Sequence, residues 1–178
     1  TFQTDANNYV YEATFGGYIV RDALWFFAAG RDWSESGSDQ IATPGQPDAG
    51  IPYPTTQEET RLEGKLTGSI GPNHRIMLSY FDIDFTYANF PNWPPAVDEA
   101  GLTSGSDPQT GVAVTYTGVL SDNFFLEGLY SKRDYTFIGG GGVNTELGGS
   151  PIWDLLESVT YNDAWFDAAG PDKQRDNE

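Results

Sequence analysis

Apolar and polar residues alternate one for one along six stretches of the chain, the period of a strand and not of a helix. The first runs from about Asn8 to Gly17, with Tyr9, Tyr11, Ala13 and Phe15 on one face and Glu12 and Thr14 on the other. The second, Ala23 to about Trp33, opens on Leu24-Trp25-Phe26-Phe27 and is apolar on both faces at its start. In the third, Glu59 to Ile70, Leu62, Gly64, Leu66, Gly68 and Ile70 oppose Arg61, Glu63, Lys65 and Thr67. The fourth, Arg75 to Ala88, sets Phe81, Ile83, Phe85 and Tyr87 against Asp82, Asp84 and Thr86. In the fifth, Thr110 to Leu120, Val112, Val114, Tyr116 and Leu120 oppose Ala113, Thr115 and Thr117. In the sixth, Asn123 to Ile138, Phe124, Leu126 and Tyr130 oppose Glu127, Ser131 and Arg133.

The connections predicted between these strands come in two sizes. Short turns fall near 18–22, 71–74 and 121–123, where Gly71-Pro72-Asn73-His74 and Ser121-Asp122-Asn123 carry turn chemistry. Long loops fall near 34–58, 89–109 and 139–178 and are rich in Pro, Gly, Ser and Asp. Tight turns at one end and long loops at the other describe an up-and-down antiparallel meander, and transmembrane β-barrels share that asymmetry. Each stretch reaches the roughly 9–11 residues that a tilted strand needs to cross a bilayer. Ordinary strands average about 5–6. The expectation is therefore all-β, with residues 1–178 forming one partial β-barrel domain. Tyr9, Trp25, Trp33, Tyr87, Phe124 and Tyr135 stand near strand ends, where interfacial aromatic girdles would lie. Within the last loop, Ile152–Val159 reads as a short helix with Ser150 as N-cap and Pro151 at N1.

Composition sharpens this picture. Aromatic residues make up 15% of the chain while hydrophobic residues reach only 38%, as expected when every second side chain meets water. Acidic residues outnumber basic ones 26 to 9, for a net charge of −17, which repels nucleic-acid phosphates and excludes that class of partner. No cysteine is present, so neither a disulfide framework nor a thiolate metal site is available. No apolar run approaches the roughly 20 residues of a transmembrane helix. The chain opens on Thr1 without a signal peptide, and its expected status is a fragment of a longer protein.

Four segments resemble one family. Tyr11–Trp33, YEATFGGYIVRDALWFFAAGRDW, resembles the start of the barrel in TonB-dependent outer-membrane receptors, where a GG-x-I-v-(K/R)-D turn leads into an aromatic LWFF strand. Glu63–Tyr80 and Phe124–Gly141 look like later hairpins of the Oar-like branch, and Arg175–Glu178, RDNE, looks like the lead-in to a further strand. The resemblance implies a 22-stranded barrel in the bacterial outer membrane, closed by an N-terminal plug and driven through TonB to import a scarce ligand. It implies as partners the membrane lipid, the remaining strands, the plug and TonB, with no cofactor and no catalysis. The plug, the TonB box and the aromatic-ended last strand are missing from these residues.

Residues that could carry chemistry have plainer readings. Asp82 and Asp84 could hold a hard cation, but lack the glycine and distal glutamate of a calcium loop, and read as a lumen-facing polar stripe. Arg61, Glu63, Lys65 and Thr67 read as a charged barrel interior. Gly139–Gly142 lacks the Lys-Ser/Thr of a phosphate loop, since Val143-Asn144-Thr145 follows. His74 is the only histidine and stands in a turn, which argues against a transition-metal site or a catalytic triad. Phe90 and Trp93, among Pro91, Pro94 and Pro95, could stack on a sugar or peptide, or could merely stiffen a loop. No catalytic, cofactor or metal residue is assigned, and the ligand-binding residues stay open. Two other classes remain: a soluble all-β carbohydrate-binding module, and a β-rich glycoside hydrolase needing two carboxyls roughly 5–10 Å apart. The barrel expects Leu62, Leu66, Val112, Val114 and Leu126 on an outer face with Glu63, Lys65 and Thr115 inside. A soluble module expects those apolar residues in a closed core.

Overall fold

A computed structural model describes residues 8–41, 50–90, 101–141, 152–161 and 173–177. Among them there is no α-helix. The strands are β1 (Tyr9–Val20), β2 (Leu24–Gln40), β3 (Pro52–Ile70), β4 (His74–Phe90), β5 (Thr103–Ser106), β6 (Gln109–Ser121), β7 (Phe124–Gly141), β8 (Ile152–Asp154), β9 (Val159–Tyr161) and β10 (Lys173–Asn177). All six predicted strands form, as β1, β2, β3, β4, β6 and β7. They pair in chain order and antiparallel, β1 with β2, β2 with β3 and so on, and β10 extends the sheet beyond β7. The fold is an all-β, up-and-down antiparallel sheet.

The β5 strand does not add a position to the meander. Ser106 lies opposite Thr86 on β4 and Ile138 on β7, and Gln109 lies opposite Ile83 and Tyr135. Three residues of advance on β5–β6 match three on each neighbour, so the register runs unbroken across Asp107-Pro108. The Asp107 N–H donates to the Phe85 carbonyl (2.8 Å), and the Pro108 carbonyl accepts from the Thr136 N–H (3.0 Å). Only the missing proline N–H interrupts the ladder.

Several predicted loops are shorter than expected. Residues 34–40 and 52–58 belong to β2 and β3, whose pairing continues through Gly37↔Thr55 to Gln40↔Pro52. These segments lack apolar alternation, so periodicity alone reads them as loop. Their backbone hydrogen bonds are made all the same. Residues 103–106 are likewise strand within the predicted 89–109 loop. The helix predicted over Ile152–Val159 is a β8–β9 hairpin instead. Asp154 Oδ1 accepts the N–H groups of Leu156 (2.8 Å) and Glu157 (3.1 Å), and Ser158 adopts φ 55. The carboxylate captures amides that a helix would need, and four residues of turn are too few to propagate one. Ser150 and Pro151 lie outside the described residues, as do Pro91, Trp93, Pro94, Pro95 and Gly142.

The tight connections match expectation in place. Asp22 takes φ 62 in the first, closed by the Ala23 N–H on the Val20 carbonyl (3.1 Å). Gly71 takes φ 63 beside Pro72, a backbone conformation that costs glycine nothing. These turns are stepped. Leu24, at the foot of β2, pairs with Gly68, two residues short of the next foot at Ile70↔His74. His74 aligns through Gly118 with Leu126, again two residues short of the third foot at Ser121↔Phe124. Two residues (about 6.6 Å) over two strand spacings (about 9.6 Å) incline the line of turns by about 35° to the perpendicular of the strands.

No second layer covers this sheet among the described residues. The one buried apolar cluster among the described residues is small: Ile41, Tyr53 and Leu102, at the long-loop end. Large apolar side chains stand open instead, including Phe15 (71%), Leu62 (56%), Leu66 (41%) and Tyr130 (55%).

Candidate functional site

Register assigns every strand residue to one of two faces. On the first, Phe15, Ala28, Gly64, Tyr80 and Val112 form one row, and Gly17, Phe26, Leu66, Leu78, Val114 and Tyr130 the next. Leu62, Leu66, Val112, Val114 and Leu126 all share this face, as the alternation anticipated, and Glu63, Lys65 and Thr115 all share the other. The apolar face is continuous from the tight turns to about Leu62 on β3 and Tyr80 on β4. Beyond that edge it turns acidic, with Asp32, Glu58, Asp82 and Asp84.

This corrects the reading of Asp82 and Asp84 as part of a stripe shared with Glu63 and Lys65. Asp82 pairs with Leu62 and Asp84 with Thr60, so both belong to the apolar side, above its band. Alternation within β4 shows that they oppose Phe81 and Ile83, but not which face of β3 they join. That is a matter of register alone. Asp82 accepts the Tyr80 hydroxyl (3.1 Å) and Asp84 the Ser106 hydroxyl (3.3 Å). No group of three or more His, Cys, Asp or Glu side chains converges among the described residues.

The six aromatics expected at a girdle are divided between the two faces. Trp25, Trp33, Tyr87 and Tyr135 lie on the charged face, opposite Thr67, Glu59, Gln57 and Gln109, and only Tyr9 and Phe124 of the predicted six lie on the apolar face. Tyr11, Tyr80 and Tyr130 mark its upper rim instead, at positions that step toward the turns from β1 to β7.

The second face is built from charge. Arg31 on β2 lies directly opposite Arg61 on β3, an unfavourable juxtaposition by itself. Acidic neighbours offset it: Arg31 reaches Glu12 on β1 (3.4 Å) and Glu59 on β3 (3.5 Å), while Arg61 Nε donates to Glu63 (2.6 Å). Both Arg31 contacts are coulombic, since neither Arg31 Nε, which faces Glu12, nor Glu59 Oε1, which faces Arg31 Nη1, makes a hydrogen bond. Glu12, Thr14, Arg31, Arg61 and Glu63 line a shallow depression of about 230 Å³. Such half-exposed pairs contribute less than about 1 kcal/mol each. Their effect is to present fixed charges to a polar medium.

Toward the long loops the same face becomes aromatic. Trp33 stacks on Phe85 (6.3 Å between centroids), Phe85 meets Tyr87 (6.0 Å), and Tyr87 meets Phe90 edge-on (6.3 Å). Burial raises the Asp107 carboxyl above its usual pKa. The folded state therefore holds the Asp107 proton more tightly than the unfolded chain does. Stability lost to this group is fully incurred above the raised pKa and is regained as pH falls through it. Asp107→Asn is expected to stabilise the protein at neutral pH, with the difference from wild type shrinking toward zero on acidification. Urea titrations of both proteins from pH 7 to pH 4 check the sign.

His74, expected in the turn, is the first residue of β4, and its Nδ1 is hydrogen-bonded to the Tyr116 hydroxyl (2.8 Å). Gly118 lies opposite His74, and a Cβ there would overlap the Tyr116 hydroxyl that reaches across it. Of this aromatic cluster, sequence reasoning singled out only Phe90 as a stacking residue, because Asp107 reads as loop, Trp33 and Tyr87 as girdle, and Phe85 as one position of an alternating strand. Trp33 and Tyr135 share parity with Arg31 and Arg133 on their own strands, a local signal for the charged face, whereas Phe85 and Tyr87 oppose Asp84 and carried no such signal. Comparison with protein-family models, curated proteins and solved structures found no match for this chain.

Proposed function

We propose that this chain forms part of the wall of a transmembrane β-barrel in a bacterial outer membrane, of the TonB-dependent receptor kind, and serves ligand uptake without catalysis. One observation carries the reading: a broad apolar face, with no layer over it among the described residues, backs directly onto a face of paired charges. Soluble monomers rarely expose a contiguous apolar patch above a few hundred Å². A sheet with hydrocarbon on one side and an aqueous lumen on the other requires this division.

The geometry supports the same reading. The stepped turns correspond to strands inclined by about 35°, within the roughly 35–45° tilt of such barrels when the turns lie in one plane. At that tilt the nine residues Leu62–Ile70 of β3 rise about 25 Å, the height of the apolar band of these barrels. The remainder of β3 would stand above the bilayer, where the first face turns acidic. The Tyr80 hydroxyl, directed at Asp82 from the rim of the band, suits a headgroup boundary. Lipid is the partner of the apolar face. The free edge of β1, and that of β7 below its contact with β10 at Arg133–Phe137, would take the remaining strands. The plug and TonB would act from within the lumen and the periplasm, and the ligand would enter from the long-loop side.

The chain has no cysteine, so single cysteines can be introduced and labelled without background. Fluorophores at Leu66, Leu78 and Val114 in the reconstituted protein are expected to be quenched by bilayer-embedded quenchers. Those at Lys65, Ser79 and Ala113 should respond to an aqueous quencher instead. Uniform response across neighbours would refute the bilayer-spanning sheet.

A further inference from the structure

At the long-loop end of the charged face, Gln57, Phe85, Tyr87, Phe90, Thr103 and Asp107 enclose a pocket of about 270 Å³. Its aromatic rings meet at angles, 33° between Phe85 and Tyr87 and 75° between Tyr87 and Phe90, so they form a concave wall and not a flat stack. Trp33 supports Phe85 from β2 at 12° to its plane. Asn89, with φ 55, shifts the register between Tyr87 and Phe90 and so turns Phe90 toward Tyr87.

The pocket contains one carboxylate and no cationic side chain. Asp107 is held in place by its own N–H on the Phe85 carbonyl, and it forms no ion pair among the described residues. The Arg31 and Arg133 guanidinium groups of this face are engaged elsewhere. Arg31 is held by Glu12 and Glu59 and lies 5.8 Å from the Trp33 ring centre. Arg133 is bonded to Gln109 and lies 5.5 Å from the ring centre of Tyr135. A partly desolvated negative charge beside ring faces, whose quadrupoles also present negative potential, lacks only a cation.

We infer that this pocket binds an organic cation, with an alkylammonium head group against Phe85, Tyr87 and Phe90 and its charge on Asp107. Gln57 can orient the remainder of the ligand through polar contacts, while the Thr103 hydroxyl donates to the Phe90 carbonyl (3.1 Å) and holds that wall of the pocket. A neutral sugar could stack on the rings and donate a hydroxyl to Asp107, but it would leave the carboxylate charge uncompensated. The head group could belong to a small free amine or to a lysine side chain of a peptide, and the chemistry is the same. The pocket is built from β3, β4, β5 and the Asp107-Pro108 link and needs no bilayer, so its failure and the failure of the membrane reading are separable.

Calorimetric titration of the purified protein tests the assignment, with tetramethylammonium, N-acetyl-lysine amide and glucose as probes. At least one cationic probe is expected to bind and glucose not to. Asp107→Asn, which preserves size, is expected to weaken binding tenfold or more, and Phe85→Leu severalfold, both with unchanged β-sheet circular dichroism. Preference for tetramethylammonium marks a quaternary or small amine as ligand, and preference for the lysine amide marks a peptide. Absence of binding by both cations, equal binding of glucose, or undiminished affinity in Asp107→Asn overturns the assignment.

Discussion

Leu66→Arg is expected to destabilise the folded protein in bilayers by about 2–4 kcal/mol, and Leu62→Arg by about 1 kcal/mol or less. Both leucines lie on the apolar face, four residues apart on β3. Leu66 sits in the row of Phe26, Leu78 and Val114, midway between the rim at Leu62 and the foot at Ile70. A guanidinium there would be held near the bilayer midplane, whereas at Leu62 it can reach headgroups and water. In water the two substitutions would rank differently, because Leu66 (41% exposed) and Leu62 (56%) are both open and either arginine could remain hydrated. Lys65→Leu, on the charged face, supplies the control and should change stability little. Urea titrations of folding into vesicles give all three values, and equal small effects at Leu66 and Leu62 would refute immersion of this face.

Gly111→Ala should cost about 1–3 kcal/mol, the usual penalty for overpacking. Alanine normally improves a strand position over glycine, by roughly 0.5–1 kcal/mol. Here the sign reverses. Gly111 is buried directly opposite Phe81, whose ring lies over it, and a Cβ would overlap the ring edge. The glycine is therefore the seat of an aromatic ring crossing from β4 to β6, a device that pins register where backbone pairing alone would permit slippage. Phe81→Leu in the Gly111→Ala background should recover most of the loss, because the smaller side chain vacates the space. A double-mutant cycle reads the coupling directly. Additive effects would mean that the ring does not occupy the position over Gly111.

The reach of sequence reasoning can be judged strand by strand. Alternation located all six long strands, because a side-chain period of two leaves a mark in any stretch where one face is apolar. It stopped at Trp33 and began again at Glu59, because the outer halves of β2 and β3 are polar on both faces and carry no such mark. Backbone hydrogen bonding extends them, and it is blind to side-chain type. Asp107-Pro108 read as loop for the converse reason. Proline breaks the local signature, yet the neighbours on both sides hold the strand in register.

Local sequence therefore determined the all-β class, the positions of the tight turns and the split of each strand into two faces, since all three depend on residues adjacent in the chain. Which face of one strand joins which face of the next was decided only by tertiary pairing. Asp82 and Asp84 came to lie beside Leu62 and Thr60, 20 and 24 positions away, and Trp33 beside Phe85, 52 positions away, through the register of the sheet. A shift of one residue would have exchanged both assignments while leaving every local pattern intact.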